Sequence, residues 1–171
     1  MAATAGVFAL PHLSETAQVL LLQCAFGCYR TQEELPTLGA LAASLRIPQH
    51  MADEALDELV AARVLEPRWQ DRHVVRPRSM WPFQVRRPTP AAEAVARRLI
   101  QDLTAPRTPL VTELPSPQQL AAIYNVNVDI AREGLRLTAM RGVVALVPGR
   151  PATVIRPFPA PRQASAGPAS R

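Results

Sequence analysis

Asp129, Arg132 and Arg136 recur at i, i+3 and i+7, a spacing that puts all three side chains on one exposed face of a helix. A guanidinium keeps its charge at any relevant pH and offers a planar fork that fits a phosphate or a guanine edge. On the second helix of a pair, such a face can reach into a major groove. No other chemistry competes with it. The chain has no Gly-rich phosphate loop, no nucleophile elbow and no suggestive pairing of His with Cys, so no catalytic residue is expected. Cys24 and Cys28, at i and i+4, would share one helical face and read as buried thiols. His12, His50 and His73 fall in no metal-ligand pattern with them, and neither a metal nor a cofactor is expected.

The elements that must hold the arginine face are legible around it. Opposite Asp129, Arg132 and Arg136 run Ala131, Gly134, Leu135 and Thr138, a buried stripe whose small members admit a close neighbouring helix. Upstream, Ser116 can cap a helix opening at Pro117, with Leu120, Ala121 and Ile123 as its apolar run, and Asn125 breaks it before the next helix. Gly142 can end that second helix. Residues 143–147 and 152–156 then read as two strands around a Pro148-Gly149 turn. Helix, turn, helix and hairpin together make a winged helix.

The same punctuation occurs 79 residues earlier. Leu35, Pro36 and Thr37 match Leu114, Pro115 and Ser116; Leu41, Ala42 and Ala43 match Leu120, Ala121 and Ala122; Ile47, Glu54 and Leu56 match Val126, Glu133 and Leu135. Val74 to Pro77 recur as Val154 to Pro157 at a spacing of 80, which implies one residue inserted in the hairpin. The expected fold is therefore mainly α with small β wings, two winged helix-turn-helix domains in tandem, each large enough for a modest core of its own. Residues 1–12 read as a flexible arm, 13–79 as the first domain, 80–89 as a linker, 90–158 as the second domain and 159–171 as a disordered tail. Within the first domain, helices are expected over 13–29, from Thr37 to Leu45 and from Pro48 to Ala62, with strands over 64–69 and 72–76. The first of these helices is apolar nearly all round and is the candidate dimer interface. Trp81 and Phe83 should pack against a domain and fix the linker, leaving Arg86 and Arg87 in water or on a backbone phosphate. A helix over 91–103 and a loop over 104–113 lead to the central stretch.

Charge separates the two copies. All 19 basic residues of the 171-residue chain are Arg, and the net charge is +5. Residues 1–79 hold seven Arg and nine acids, net −2, whereas 80–158 hold ten Arg and five acids, net +5. The positions of Asp129, Arg132 and Arg136 are taken in the first copy by His50, Asp53 and Asp57, with Glu54 and Glu58 beside them. Only the second copy suits phosphates. No stretch is long and apolar enough for a membrane span, and the start lacks the order of a signal peptide, so a cytoplasmic protein is expected.

Residues 91–155 resemble the DNA-binding domain of the GntR family of bacterial repressors. The likeness rests on Leu114-Pro-Ser-Pro-Gln-Gln-Leu-Ala121, on Tyr124 and Val126, on the run from Arg132 to Arg136, and on Arg141 to Val144 before the wing. The first copy is more distant. In that family a winged-helix dimer reads an inverted repeat in duplex DNA. The resemblance implies DNA contacts from Ser116 and Gln118, from Asn127, Arg132 and Arg136, to which the stripe adds Asp129, and from Gly149 and Arg150 in the wing. The family usually has arginine where Gln118 and Val128 stand. Its members continue into an effector-binding or dimerisation domain that has no counterpart in this sequence, so a fused ligand pocket is not expected. The expected function is that of a bacterial transcriptional regulator on the nucleoid, a homodimer bound to double-stranded DNA. The alternative is a tandem winged-helix scaffold for chromosome or plasmid maintenance, meeting a protein through its acidic first copy.

Overall fold

The computed structural model describes residues 12–105 and 113–155. Most of the expected N-terminal arm, loop residues 106–112, Arg156 at the end of the last expected strand and the 159–171 tail lie outside the described residues.

Every α-helix except α3 begins where a side-chain cap accepts from one of its first free N–H groups. Helix α1 (Glu15–Ala25) starts at Ser14, whose hydroxyl accepts from the Ala17 N–H at 3.3 Å. It stops four residues short of the expected end at Tyr29. Phe26 closes it by donating to Leu22, Gly27 turns the chain at φ +89°, and Cys28 N–H goes back to the Gln23 carbonyl. Cys28 is therefore beyond the helix, and the two cysteines do not share a helical face. Thr37 caps α2 (Leu38–Leu45), and α3 (Gln49–Ala61) follows Pro48. A short antiparallel pair, β1 (Leu65–Pro67) and β2 (His73–Val75), closes this half within narrower limits than expected. After a 3-10 turn at Arg78–Met80, Thr89 caps α4 (Pro90–Thr104). Ser116 caps α5 (Pro117–Tyr124), Asn127 caps α6 (Val128–Met140), and β3 (Val144–Ala145) pairs antiparallel with β4 (Thr153–Val154). The described chain is mainly helical, with two small two-stranded sheets.

The hydrogen bonds of the second half follow those of the first at a constant offset of 79. Leu65 pairs with Val75 and Val144 with Val154. Leu35 N–H donates to His73 and Leu114 N–H to Ala152; Arg76 N–H donates to Val64 and Ile155 N–H to Val143. Val154 is thus the counterpart of Val75, and no residue is inserted in the hairpin. The offset of 80 came from the likeness of Val-Val-Arg-Pro to Val-Ile-Arg-Pro. A true slip of one residue would turn every strand side chain to the other face. Left-handed backbone repeats at the same offset: Arg46 and Asn125, Arg63 and Gly142, Gln70 and Gly149 all have positive φ.

The halves do not bury separate cores. One apolar cluster runs through both, and α1 packs against α3 on one side and α6 on the other. Glu15 Oε1 lies 3.7 Å from Arg136 Nε, and Gln23 Nε2 donates to the Met140 carbonyl at 3.2 Å. Burial on more than one side of α1 was expected from its composition; its use as a homodimer surface was too, and that is overturned, because Val19, Leu20, Leu21 and Cys24 are already buried within the chain. At this seam Thr16, buried, lines a cavity of about 10 Å³ with Val19, Leu45, Ile47 and Ala139, and its hydroxyl meets no donor or acceptor among the described residues.

Two further contacts position the second half. Trp81 and Phe83 are buried, the Trp81 indole N–H donates to Arg76 O at 3.0 Å, and Arg78 lies over the Phe26 and Trp81 rings while donating to Ala25 O. This anchors the linker to the first half as its aromatic content suggested. In α6, Ala131, Gly134, Leu135 and Thr138 are all buried. A Cβ on Gly134 would come within 2.7 Å of Val95 Cγ1 and 3.3 Å of Ala92 O, so the absence of a side chain there sets how closely α6 approaches α4.

Candidate functional site

The eight residues singled out from the sequence lie on α5, on α6 and on the hairpin after it. Ser116 and Gln119 form a reciprocal cap: the Ser116 hydroxyl accepts from Gln119 N–H at 3.3 Å, and Gln119 Oε1 accepts from Ser116 N–H at 2.9 Å. The serine thereby orients the start of α5, and Gln118 stands exposed one residue beyond Pro117. Asn125, in the left-handed region at φ 53°, makes the turn, and Asn127 Oδ1 then accepts from Ile130 N–H at 2.8 Å. Asparagine suits both places, because its short amide tolerates the left-handed region and caps a helix well. Asn127 is exposed at the mouth of α6 with its cap oxygen occupied.

The stripe on α6 divides. Asp129 and Arg132 are open to solvent, their side chains 91% and 47% exposed, and pair loosely at 3.5 Å. An exposed pair of this kind is worth little and can exchange for another partner at small cost. Arg136 is different. Its side chain is 29% exposed, its Nε has no hydrogen-bond partner among the described residues, and its ion pair is with Glu15 of α1. The expectation of one exposed face through Arg136 is corrected: one further turn along, α1 crosses the helix and covers that flank. Only the N-terminal half of α6 is presented. In the hairpin, Arg150 N–H donates to Val147 O at 3.0 Å around Pro148 and Gly149. Gly149 has φ +74° with open space where a Cβ would sit, so it is needed for the turn and not for close approach. Arg150 stands exposed beside it.

Three features were not foreseen. Arg97 and Arg141 are exposed and have no acidic partner among the described residues, which adds free positive charge to the second half. Tyr124 donates to Asp102 at 3.0 Å and lies under Arg98, tying α5 to α4; burial, then the Asp102 hydrogen bond and charge, push its hydroxyl up to about 12 against the smaller opposing pull of Arg98. Glu133, next to Arg132, accepts from both Thr89 N–H at 3.1 Å and Thr89 Oγ1 at 3.0 Å, fastening the linker to α6. Glu54, its counterpart 79 residues earlier, could have flagged that position but makes no such bond among the described residues.

On α3 the corresponding face is acidic, with His50, Asp53, Glu54 and Asp57 exposed. Glu58 is removed from it, since its Oε2 accepts from Ser14 N–H at 2.7 Å and holds the start of α1. Among the described residues no three His, Cys, Asp or Glu side chains gather as metal donors, and no helix is long and apolar enough to cross a membrane. In comparison with known proteins, no family model, no curated protein and no solved structure matches the chain.

Proposed function

We propose that this chain is a DNA-binding transcriptional regulator of the bacterial nucleoid, built as two winged helix-turn-helix units in tandem, and that it binds duplex DNA through the second. The observation that carries the reading is the open N-terminal half of α6. There Asn127, Asp129 and Arg132 stand free of the core, with the capped start of α5 alongside and Arg150 at the tip of the following hairpin. A short helix held by a second helix across it is the means by which such units enter a major groove, and free arginines nearby supply phosphate contacts. The reading includes no catalytic step. Should two chains read an inverted repeat, the surface that joins them lies away from α1, because that helix is occupied.

A gel-shift with sheared genomic DNA at low and moderate salt tests the proposal. Retardation that weakens with salt is expected; none even at low salt removes the reading. The acidic face of α3 favours a second reading, a scaffold that meets a basic protein partner through its first half without reading DNA. On that reading DNA is not retarded, and Asp53→Ala and Asp57→Ala weaken partner capture.

A further inference from the structure

We propose that Arg86 and Arg87 of the linker form a phosphate-binding clamp beside α6, and that Glu133 is the residue that positions it. The proposal rests on the second half binding DNA and extends that surface to a segment outside the helix-turn-helix and the hairpin. Two anchors carry it. Upstream, buried Trp81 and Phe83 and the Trp81 hydrogen bond to Arg76 O hold the linker against the first half. Downstream, the two hydrogen bonds from Thr89 to Glu133 hold it against α6, one residue from Arg132. Between the anchors, Arg86 and Arg87 are exposed and have no acidic partner among the described residues, and Pro82, Pro88 and Pro90 restrict the backbone around them.

Arg87 is only two residues from Thr89, about 7 Å at full extension, so the bond to Glu133 keeps it beside α6, on the flank next to the one that carries Arg132. A segment held at both ends loses little conformational freedom when its side chains engage a ligand, which distinguishes these arginines from charges on a loose tether. The ligand chemistry is a row of phosphodiesters, to which each guanidinium can donate through its fork. Glu133 itself is an acid and would repel that row. Its value lies in the two hydrogen bonds, and this gives the proposal a test in which charge and position predict opposite signs.

The measurement is the affinity of the full chain for a labelled mixed-sequence duplex as a function of salt. Each lost phosphate contact lowers the slope of log affinity against log salt by about 0.9. Arg86→Ala with Arg87→Ala is expected to lower it by about 1.8, so that from 50 to 200 mM salt the wild type loses about twelve-fold more affinity than the double variant. Glu133→Ala is expected to weaken binding and lower the slope although it removes a negative charge, while Glu133→Gln, which keeps an acceptor for Thr89 N–H, retains the wild-type slope. An unchanged slope in the double variant while Arg132→Ala lowers it overturns the clamp and leaves DNA binding by α6 standing. Tighter binding by Glu133→Ala overturns the positioning role. Absence of binding by the wild type refutes the DNA reading itself and the clamp with it.

Discussion

Adding one methyl group at Gly134 should destabilise the protein, although helix propensity alone says the reverse. In an exposed helix Gly→Ala gains about 1 kcal/mol. Here the new Cβ would stand 2.7 Å from Val95 Cγ1, 3.0 Å from Val95 Cβ and 3.3 Å from Ala92 O, all on α4. Val95 cannot easily turn aside, being buried and restricted by branching at Cβ to one main helical rotamer, and a backbone oxygen moves only with its helix. Overpacking of this kind costs roughly 1–3 kcal/mol, and contact with the main chain argues for the upper part of that range. A net loss of about 1–2 kcal/mol is expected, a fall in Tm of roughly 2–8 °C for a chain of this size. The assay is urea unfolding of wild type, Gly134→Ala, Val95→Ala and the double variant. Val95→Ala alone is destabilising through the cavity it leaves, but the double variant should be more stable than the sum of the two singles by about 1 kcal/mol, since each change makes room for the other. Ala55, 79 residues earlier and fully buried, serves as the control: Ala55→Gly should cost about 1 kcal/mol. If Gly134→Ala is as stable as wild type, or if the two changes simply add, the α4–α6 approach is not set by that glycine and the reasoning fails.

Three other outcomes are expected. Thr16→Val keeps the shape of the side chain and replaces a buried hydroxyl with no protein partner by a methyl, so it should stabilise by about 1 kcal/mol; a loss in thermal unfolding would show that the hydroxyl is satisfied. Stability should fall in alkali, because burial and then the charge of Cys28 push the Cys24 thiol up to about 12 from an ordinary 9.0, and Tyr124 is likewise raised to about 12 from 10.0. Both groups stay protonated longer in the folded chain, so their contribution is complete below about pH 9 and is lost as pH rises toward 12; Tyr124→Phe should remove the part that begins near pH 10, and chemical unfolding across that range would read it. Arg132→Ala should lower the salt slope of DNA affinity by about 0.9, whereas Arg136→Ala, withdrawn against Glu15, should leave it unchanged; equal effects would mean that α1 does not shield the far half of α6.

What could be read in the sequence was what local chemistry decides. Ser14, Thr37 and Ser116 announce helix starts because their side chains satisfy N–H groups three residues away, and Gly142 and Gly149 mark positions where φ is positive. The small stripe through Gly134 gave away a close helix contact for the same reason. The placement of α1 was not legible, since an apolar helix has the same pattern whether a second chain or a distant part of its own covers it. The partner that corrects the predicted arginine face is remote, as is the one that fastens the linker: Glu15 meets Arg136, and Thr89 meets Glu133, across stretches that no periodicity links. Left-handed Arg46, Arg63 and Gln70 carry no signal in their residue type, yet the repeat aligns them with Asn125, Gly142 and Gly149, so a consistent offset of 79 would have revealed them.

The sandwiching of α1 between α3 and α6 has a consequence during synthesis. Helix α1 leaves the ribosome before the other described helices, and Met140, which accepts the Gln23 hydrogen bond, comes 117 residues after Gln23. At about 5–20 residues per second that is a delay of roughly 6–23 s. For that time the nascent first half must hold Leu22 in water, or on a chaperone, since Leu137, against whose cluster it packs, does not yet exist. A ribosome stalled between the two halves should therefore present a sticky, aggregation-prone intermediate, and slow codons in the second half would cost yield of soluble protein without altering a single residue.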